Sequence, residues 1–179
     1  MAVKKQPVKL NLGCGPEHYE GWVNVDASPD EKPDVVADVI DLPFEDDSVD
    51  EIFASHILEH VDWRVPALEE WHRVLRPGGV IVVIVPDIIG VWYAWKLGQV
   101  WGHPTQYPID LGYVNATAFG GVVLGIPYFQ NAGHIHRQIF VMDMLEERMR
   151  PLFPDAHRVS ETGPRRVTLI ETAVAGTKP

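Results

Sequence analysis

Val8-Lys9-Leu10-Asn11-Leu12-Gly13-Cys14-Gly15-Pro16 decides how this 179-residue chain is read. An apolar strand runs straight into a turn pinched by two glycines. Without a Cβ, Gly13 and Gly15 can take positive φ and let a ligand approach the backbone closely. A second strand, Trp22 to Asp26, follows within a dozen residues and ends in a carboxylate. Strand, glycine turn and acidic strand end are how an open α/β sheet holds adenosine at the carboxyl edge of its strands.

The turn also says what is disfavoured. A dinucleotide fingerprint would place a third glycine at His18, opening a full helix beneath a pyrophosphate. The chain continues instead as Pro16-Glu17-His18-Tyr19-Glu20, whose two glutamates oppose phosphate. Gly21 leaves room for at most a turn or two of helix before the second strand. A cofactor without phosphates is the better match.

Outward from that stretch, Val35 to Asp38 and Ser48 to Ser55 read as a third and a fourth strand. A helix is expected from Pro66 to Arg76, with Leu68, Trp71 and Leu75 on one side and Glu69 paired to Arg73 on the other. Gly78-Gly79 would end it and open Val80 to Val85, a β-branched run suited to a buried central strand. Residues 87–133 break the rhythm with nine aromatics and scattered Gly and Pro, the mark of a structureless lid or binding insert. A helix from Met142 to Met149 is stopped by Pro151. Two closing strands follow, His157 to Glu161 and Val167 to Ala175, around a Gly163-Pro164 turn.

Length and composition bound the rest. One domain is expected, with an ordinary apolar fraction of 46% and no run long enough to span a membrane. No signal peptide is read at the N-terminus, and the single cysteine, Cys14, points to a reducing, cytoplasmic setting. Residues 1–62 carry fifteen acids and four lysines, while residues 63–179 are nearly neutral. That acidity disfavours nucleic acid as a partner. A homodimer is left open.

With these pieces in order, the chain resembles a class I S-adenosylmethionine-dependent methyltransferase of the small single-domain kind. The resemblance rests on Leu10 to Gly15, Asp26, Ala37-Asp38 followed by Leu42-Pro43-Phe44, Asp46 to Asp50, Ser55-His56-Ile57-Leu58-Glu59-His60, and Arg73 to Gly79. It implies a Rossmann-like, doubly wound α/β sheet, mostly parallel, with an antiparallel C-terminal strand, a shortened first helix and an insert after the fifth strand. Residues 8–87 would form the cofactor half, 88–136 an acceptor-binding lid, and 137–179 the closing helix and strand pair. S-adenosyl-L-methionine would be the cofactor and a small or sugar-like molecule the acceptor.

The resemblance also implies roles. Gly13, Cys14, Gly15 and Pro16, with Asn11 at the strand end, would face the methionine part. Asp26 and Ala27 would meet the ribose; Asp38, Val39 and Leu42 would meet the adenine. Ser55 and His56 would border the reacting methyl. For a hydroxyl acceptor, His56 or His136 is the expected base, the latter alternating with His134 where the insert rejoins the sheet. Two rivals are carried. His56-Ile57-Leu58-Glu59-His60 spells a zinc-hydrolase pattern, with Glu59 as base. A non-catalytic S-adenosylmethionine-binding module is the other.

Overall fold

The computed structural model describes residues 6–62, 66–90, 99–100, 103–104, 140, 143–167 and 171–179. Its frame is a seven-stranded sheet. The strands are β1 (Lys9–Leu12), β2 (Val23–Asp26), β3 (Val35–Val36), β4 (Val49–Ser55), β5 (Leu75–Pro86), β8 (His157–Arg158) and β9 (Glu171–Thr177). Their order is β3-β2-β1-β4-β5-β9-β8. The first five run parallel, and β9 lies antiparallel between β5 and β8. This is the mostly parallel Rossmann-like sheet expected, with its antiparallel C-terminal strand. The crossover from β1 to β2 contains no helix, as the short Gly15–Gly21 interval requires.

Two α-helices are described, α1 (Ala67–Val74) and α2 (Met144–Met149). Both bury their apolar residues in one cluster: Leu68, Trp71 and Val74 from α1, Leu145 and Met149 from α2, against Leu10, Leu12, Ile52, Ile81 and Val83 of the sheet. On the opposite face Phe53, Ile84 and Ala173 form a smaller cluster, topped by Tyr19 and Trp22 from the crossover. Lys9 reaches over the Trp22 ring at 5.2 Å and pairs with Glu51 at 2.6 Å, its aliphatic stem covering sheet that a helix would otherwise cover.

Several boundaries differ from the sequence reading. Helix α1 stops at Val74, and Leu75 is already strand, paired with Val49. Pro77 explains this, because it pushes Arg76 away from helical ψ and supplies no N–H to continue the turn. Arg73 pairs with Glu70, not Glu69, and the same Glu70 carboxylate accepts the Leu42 N–H at 2.8 Å. Arg73 also donates to the carbonyls of Leu42 and Phe44, so one side chain ties the β3–β4 loop to the helix. Of the closing strands, β8 starts at His157 as expected but ends at Arg158, and β9 runs on to Thr177, past the expected Ala175, with Glu161 and Arg166 bridging across the Gly163-Pro164 turn. The segment read as a structureless insert contains a small antiparallel pair, β6 (Gln99–Val100) with β7 (His103–Pro104). His134, His136 and the insert's aromatics lie outside the described residues.

Candidate functional site

The carboxyl ends of β1, β2 and β4 meet at Gly13. Its φ is +63°, and a Cβ there would stand 2.7 Å from the side chain of Ile57. Only glycine satisfies both constraints. The turn is held from below: Cys14 donates its N–H to the Val25 carbonyl, and buried Asn11 donates to the Glu17 carbonyl and to Asn24. Asn11 is therefore spent on bracing the loop. Cys14 is buried, and burial with the nearby Asp26 charge pushes its thiol up to about 11, which suits a small packing residue and not a nucleophile.

Two cavities flank Gly13. The first, about 240 Å³, is lined by Asp26, Ala27, Asp38, Val39 and Ile40 on one side and Ile57, His60, Val61 and Asp62 on the other. Asp26 closes β2, its Oδ2 accepting the Gly15 N–H at 2.9 Å and its Oδ1 the Ser28 N–H at 2.8 Å. A carboxylate has further lone pairs on each oxygen, so both keep capacity toward the cavity. Asp38 accepts the Ile40 N–H at 3.2 Å, and the Val39 carbonyl is pinned by the Trp71 indole N–H at 2.8 Å. Leu42 stands apart from both cavities. It is buried in the main core and lines neither cavity; its backbone, held by Glu70 and Arg73, shapes the loop from behind.

The second cavity, about 460 Å³, is lined by the Gly13–Glu17 turn with Asn11 and Tyr19, and by Phe53, Ser55, His56, Arg165 and Glu171. Its floor is a chain of charges. His56 has a φ of +55°, rare for a residue with a Cβ. Its Nε2 meets Glu171 Oε1 at 2.5 Å and its Nδ1 meets Glu59 Oε1 at 3.3 Å. Glu59 and Glu171 are almost fully buried, and among the described residues Glu59 has no stronger hydrogen bond. Arg165 grips Glu171 with both Nη atoms, at 3.0 and 2.8 Å, and donates from Nη2 to the Ser55 hydroxyl at 2.8 Å. Two carboxylates thus face two cations. Burial pushes the His56 imidazole down, but hydrogen bonds and charge from Glu171 and Glu59 outweigh it and hold it up at about 9.

This geometry bears on the part expected of His56: an imidazole that faces a carboxylate at each nitrogen has its protonated form favoured. The zinc-hydrolase pattern is dismantled. His56 sits at a positive-φ bend and Leu58–His60 form a single 3₁₀ turn, so the two histidines do not share an α-helical face. No group of three or more metal-binding side chains occurs among the described residues.

The raised value has a sign that can be checked. The folded imidazole, at about 9, lies above its ordinary 6.5. The stability it contributes is therefore fully present below pH 6.5 and lost as pH rises through about 9. The urea midpoint of the wild type should fall toward that of His56→Gln over this window, and a constant gap between the two would contradict the ion chain.

Sheet order, glycine turn and acidic strand ends together define a class I S-adenosylmethionine-dependent methyltransferase domain. Residues 10–83 match the family model described as a methyltransferase domain. The chain is 32% identical over 131 residues to an uncharacterized methyltransferase of Mycobacterium tuberculosis, covering 61% of this chain and 48% of that protein. A ubiquinone/menaquinone biosynthesis C-methyltransferase of Geotalea daltonii is 36% identical over 66 residues, covering 37% and 24%. The chain spans about half or less of the length of these relatives. Among solved structures, an S-adenosylmethionine-dependent methyltransferase of Archaeoglobus fulgidus superposes with a TM-score of 0.60 at 15% identity, covering 98% of this chain and 87% of that one. It shares the fold.

Sequence reasoning placed Glu59 only in the zinc-hydrolase rival and missed Arg165 and Glu171 as parts of the site. Glu171 had a readable signal, a lone carboxylate inside the apolar run from Val167 to Ala175. A buried charge of that kind needs a cation. Arg165 carried none, because a basic residue beside a Gly-Pro turn reads as solvated loop. No described helix is long and apolar enough to cross a membrane.

Proposed function

We propose that this chain transfers the methyl group of S-adenosylmethionine to a small organic acceptor. The carrying observation is the pair of cavities joined at Gly13, one rimmed by Asp26 and Asp38, the other floored by Ser55, His56, Arg165 and Glu171. The first suits adenosine. Asp26 would accept from the ribose hydroxyls, Asp38 and the Val39 backbone would meet the adenine edge, and Ala27 would border the sugar. Gly13 to Pro16 would carry the methionine part toward the second cavity, where Ser55 and His56 form the wall. The bound cofactor supplies an electrophilic methyl on a sulfonium.

The protein's contribution is placement. Holding two reactants on one axis lowers the barrier by several kcal/mol, on the order of 7–11 in favourable cases. Phe53 and Tyr19 give the second cavity an aromatic wall, suited to a small organic body. Since His56 keeps its proton, an acceptor that already presents a lone pair at neutral pH fits best. His136 remains the candidate base for a hydroxyl acceptor. The Geotalea daltonii relative is named for ubiquinone/menaquinone biosynthesis, so quinone precursors belong in any acceptor panel. Residues 8–87 act here as the cofactor half, 88–136 as the acceptor segment and 137–179 as the closing unit. The lone buried Cys14 supports a cytoplasmic setting.

Calorimetric titration with S-adenosylhomocysteine tests the reading. The folded wild type should bind, and Asp26→Ala should bind at least about tenfold more weakly, or about 1.4 kcal/mol. Labelled methyl transfer to fractionated metabolites should then mark an acceptor. Folded protein giving neither heat nor thermal shift would overturn the cofactor assignment. Tight binding without label in any fraction would favour a binding module.

A further inference from the structure

Arg165 stands 110 residues from Ser55, yet its guanidinium joins the β8–β9 hairpin to the end of β4. Each of its four Nη hydrogens has a described acceptor: Glu171 Oε2 and the Arg166 carbonyl from Nη1, Glu171 Oε1 and the Ser55 hydroxyl from Nη2. A guanidinium so engaged is poorly placed to grip a ligand's anion. It is well placed to fix the carboxylate beneath it. Glu171, fixed on both oxygens, holds the imidazole of His56 at Nε2, while Glu59 faces it at Nδ1. The His56 backbone in turn donates to the Ile84 carbonyl, which leaves the residue at its positive φ.

That bend has a mechanical output. It delivers Ile57 onto Gly13, at the partition between the two cavities. A left-handed residue with a Cβ costs about 1–2 kcal/mol, and such a conformation persists only where neighbours over-determine it. Arg165, Glu171 and Glu59 are those neighbours.

We infer that Arg165 is a positioning residue for methyl transfer, acting through Glu171 and His56 to press Ile57 against Gly13 and set the partition between the adenosine and acceptor cavities. The inference rests on the cofactor reading proposed above. It assigns work to a loop outside the matched family segment of residues 10–83.

The charged groups facing His56 are Glu59 from the 3₁₀ turn, Glu171 from β9 and, behind Glu171, Arg165, which itself senses Glu17 and Tyr19 across the cavity mouth. Removing the cation of Arg165 strengthens Glu171's hold on the imidazole proton. Removing the charge of Glu171 weakens it. The two halves of one ion pair therefore shift His56 in opposite directions, which a merely structural role would not do.

The test uses full-length wild type, R165Q, R165K, E171Q and the exposed control R166Q. ¹³C-histidine NMR titration, with His56 assigned by its loss in H56Q, reports the imidazole; S-adenosylhomocysteine calorimetry reports the cavity. We expect the His56 midpoint to rise by about half a unit or more in R165Q and to fall by at least that in E171Q. R165Q should bind S-adenosylhomocysteine about tenfold more weakly, with partial recovery in R165K and no change in R166Q. A folded R165Q with wild-type binding and an unmoved His56 midpoint would overturn the inference. If R165Q does not fold, R165K decides, since its point charge lacks the fork and must show a smaller effect of the same sign. Absence of binding by the wild type would remove the cofactor reading, while the NMR shifts would still decide the Arg165–Glu171–His56 linkage.

Discussion

Gly13→Ala should abolish measurable S-adenosylhomocysteine binding under conditions where the wild type saturates. Two costs coincide at this position. The φ of +63° penalises any side chain, and the new Cβ would lie within 2.8 Å of three carbons of Ile57. Left-handed strain contributes about 1–2 kcal/mol and overpacking about 1–3 kcal/mol. Relief requires moving either the glycine turn or Ile57, and both form the partition between the cavities. Gly15→Ala is the control: its φ is +48°, but a Cβ there meets nothing within 4 Å. It should show the strain alone, a weakening of about tenfold. In the G13A background, Ile57→Ala should restore part of the binding by removing the clash and leaving the strain. Near-wild-type affinity for Gly13→Ala would mean that the turn does not border the ligand.

Trp71→Ala should cost about 3–5 kcal/mol of stability, the largest loss of any single truncation in α1. Trp71 is fully buried at the centre of the main core and is the largest side chain so placed. Its indole N–H also satisfies the Val39 carbonyl, so the truncation empties the core and frees the turn after β3 that borders the smaller cavity. Trp71→Phe separates the two contributions. It keeps most of the apolar contact and leaves the Val39 carbonyl without its donor, for about 1–3 kcal/mol. Urea unfolding measures the stabilities. Titration with S-adenosylhomocysteine should show weaker binding for Trp71→Phe even where the protein is fully folded. A Trp71→Ala loss below about 1 kcal/mol would mean that the indole is not the keystone of the core.

How much of this could be read from the residues follows from the range of each interaction. The glycine turn, Asp26 and Asp38 are local signals, since a backbone that needs positive φ and a strand that ends in Asp both declare themselves within a few residues. The mostly parallel sheet with its antiparallel C-terminal strand followed from the resemblance, and the end of α1 was misplaced because Pro77 acts ahead of the glycines that were read as the stop. The apolar character of Leu42 fits a ligand wall and a core equally, and the structure buries its side chain in the core. The charge chain was out of reach. His56 and Glu171 are 115 residues apart, and the pattern His56 to His60 offered a nearer, helical partner that the bend at His56 forbids.

The position of β9 between β5 and β8 carries one more consequence, for the order in which the molecule comes together as it leaves the ribosome. β8 is synthesised before β9 but pairs only with it, so it has no edge to join until the last strand arrives. Until that moment Glu59 and His56 face each other without Glu171, and the nascent chain can complete its glycine turn while the wall beside it stays unbalanced. β9 therefore serves as the closing bolt: this sheet acquires its interior only after that strand has been threaded between β5 and β8.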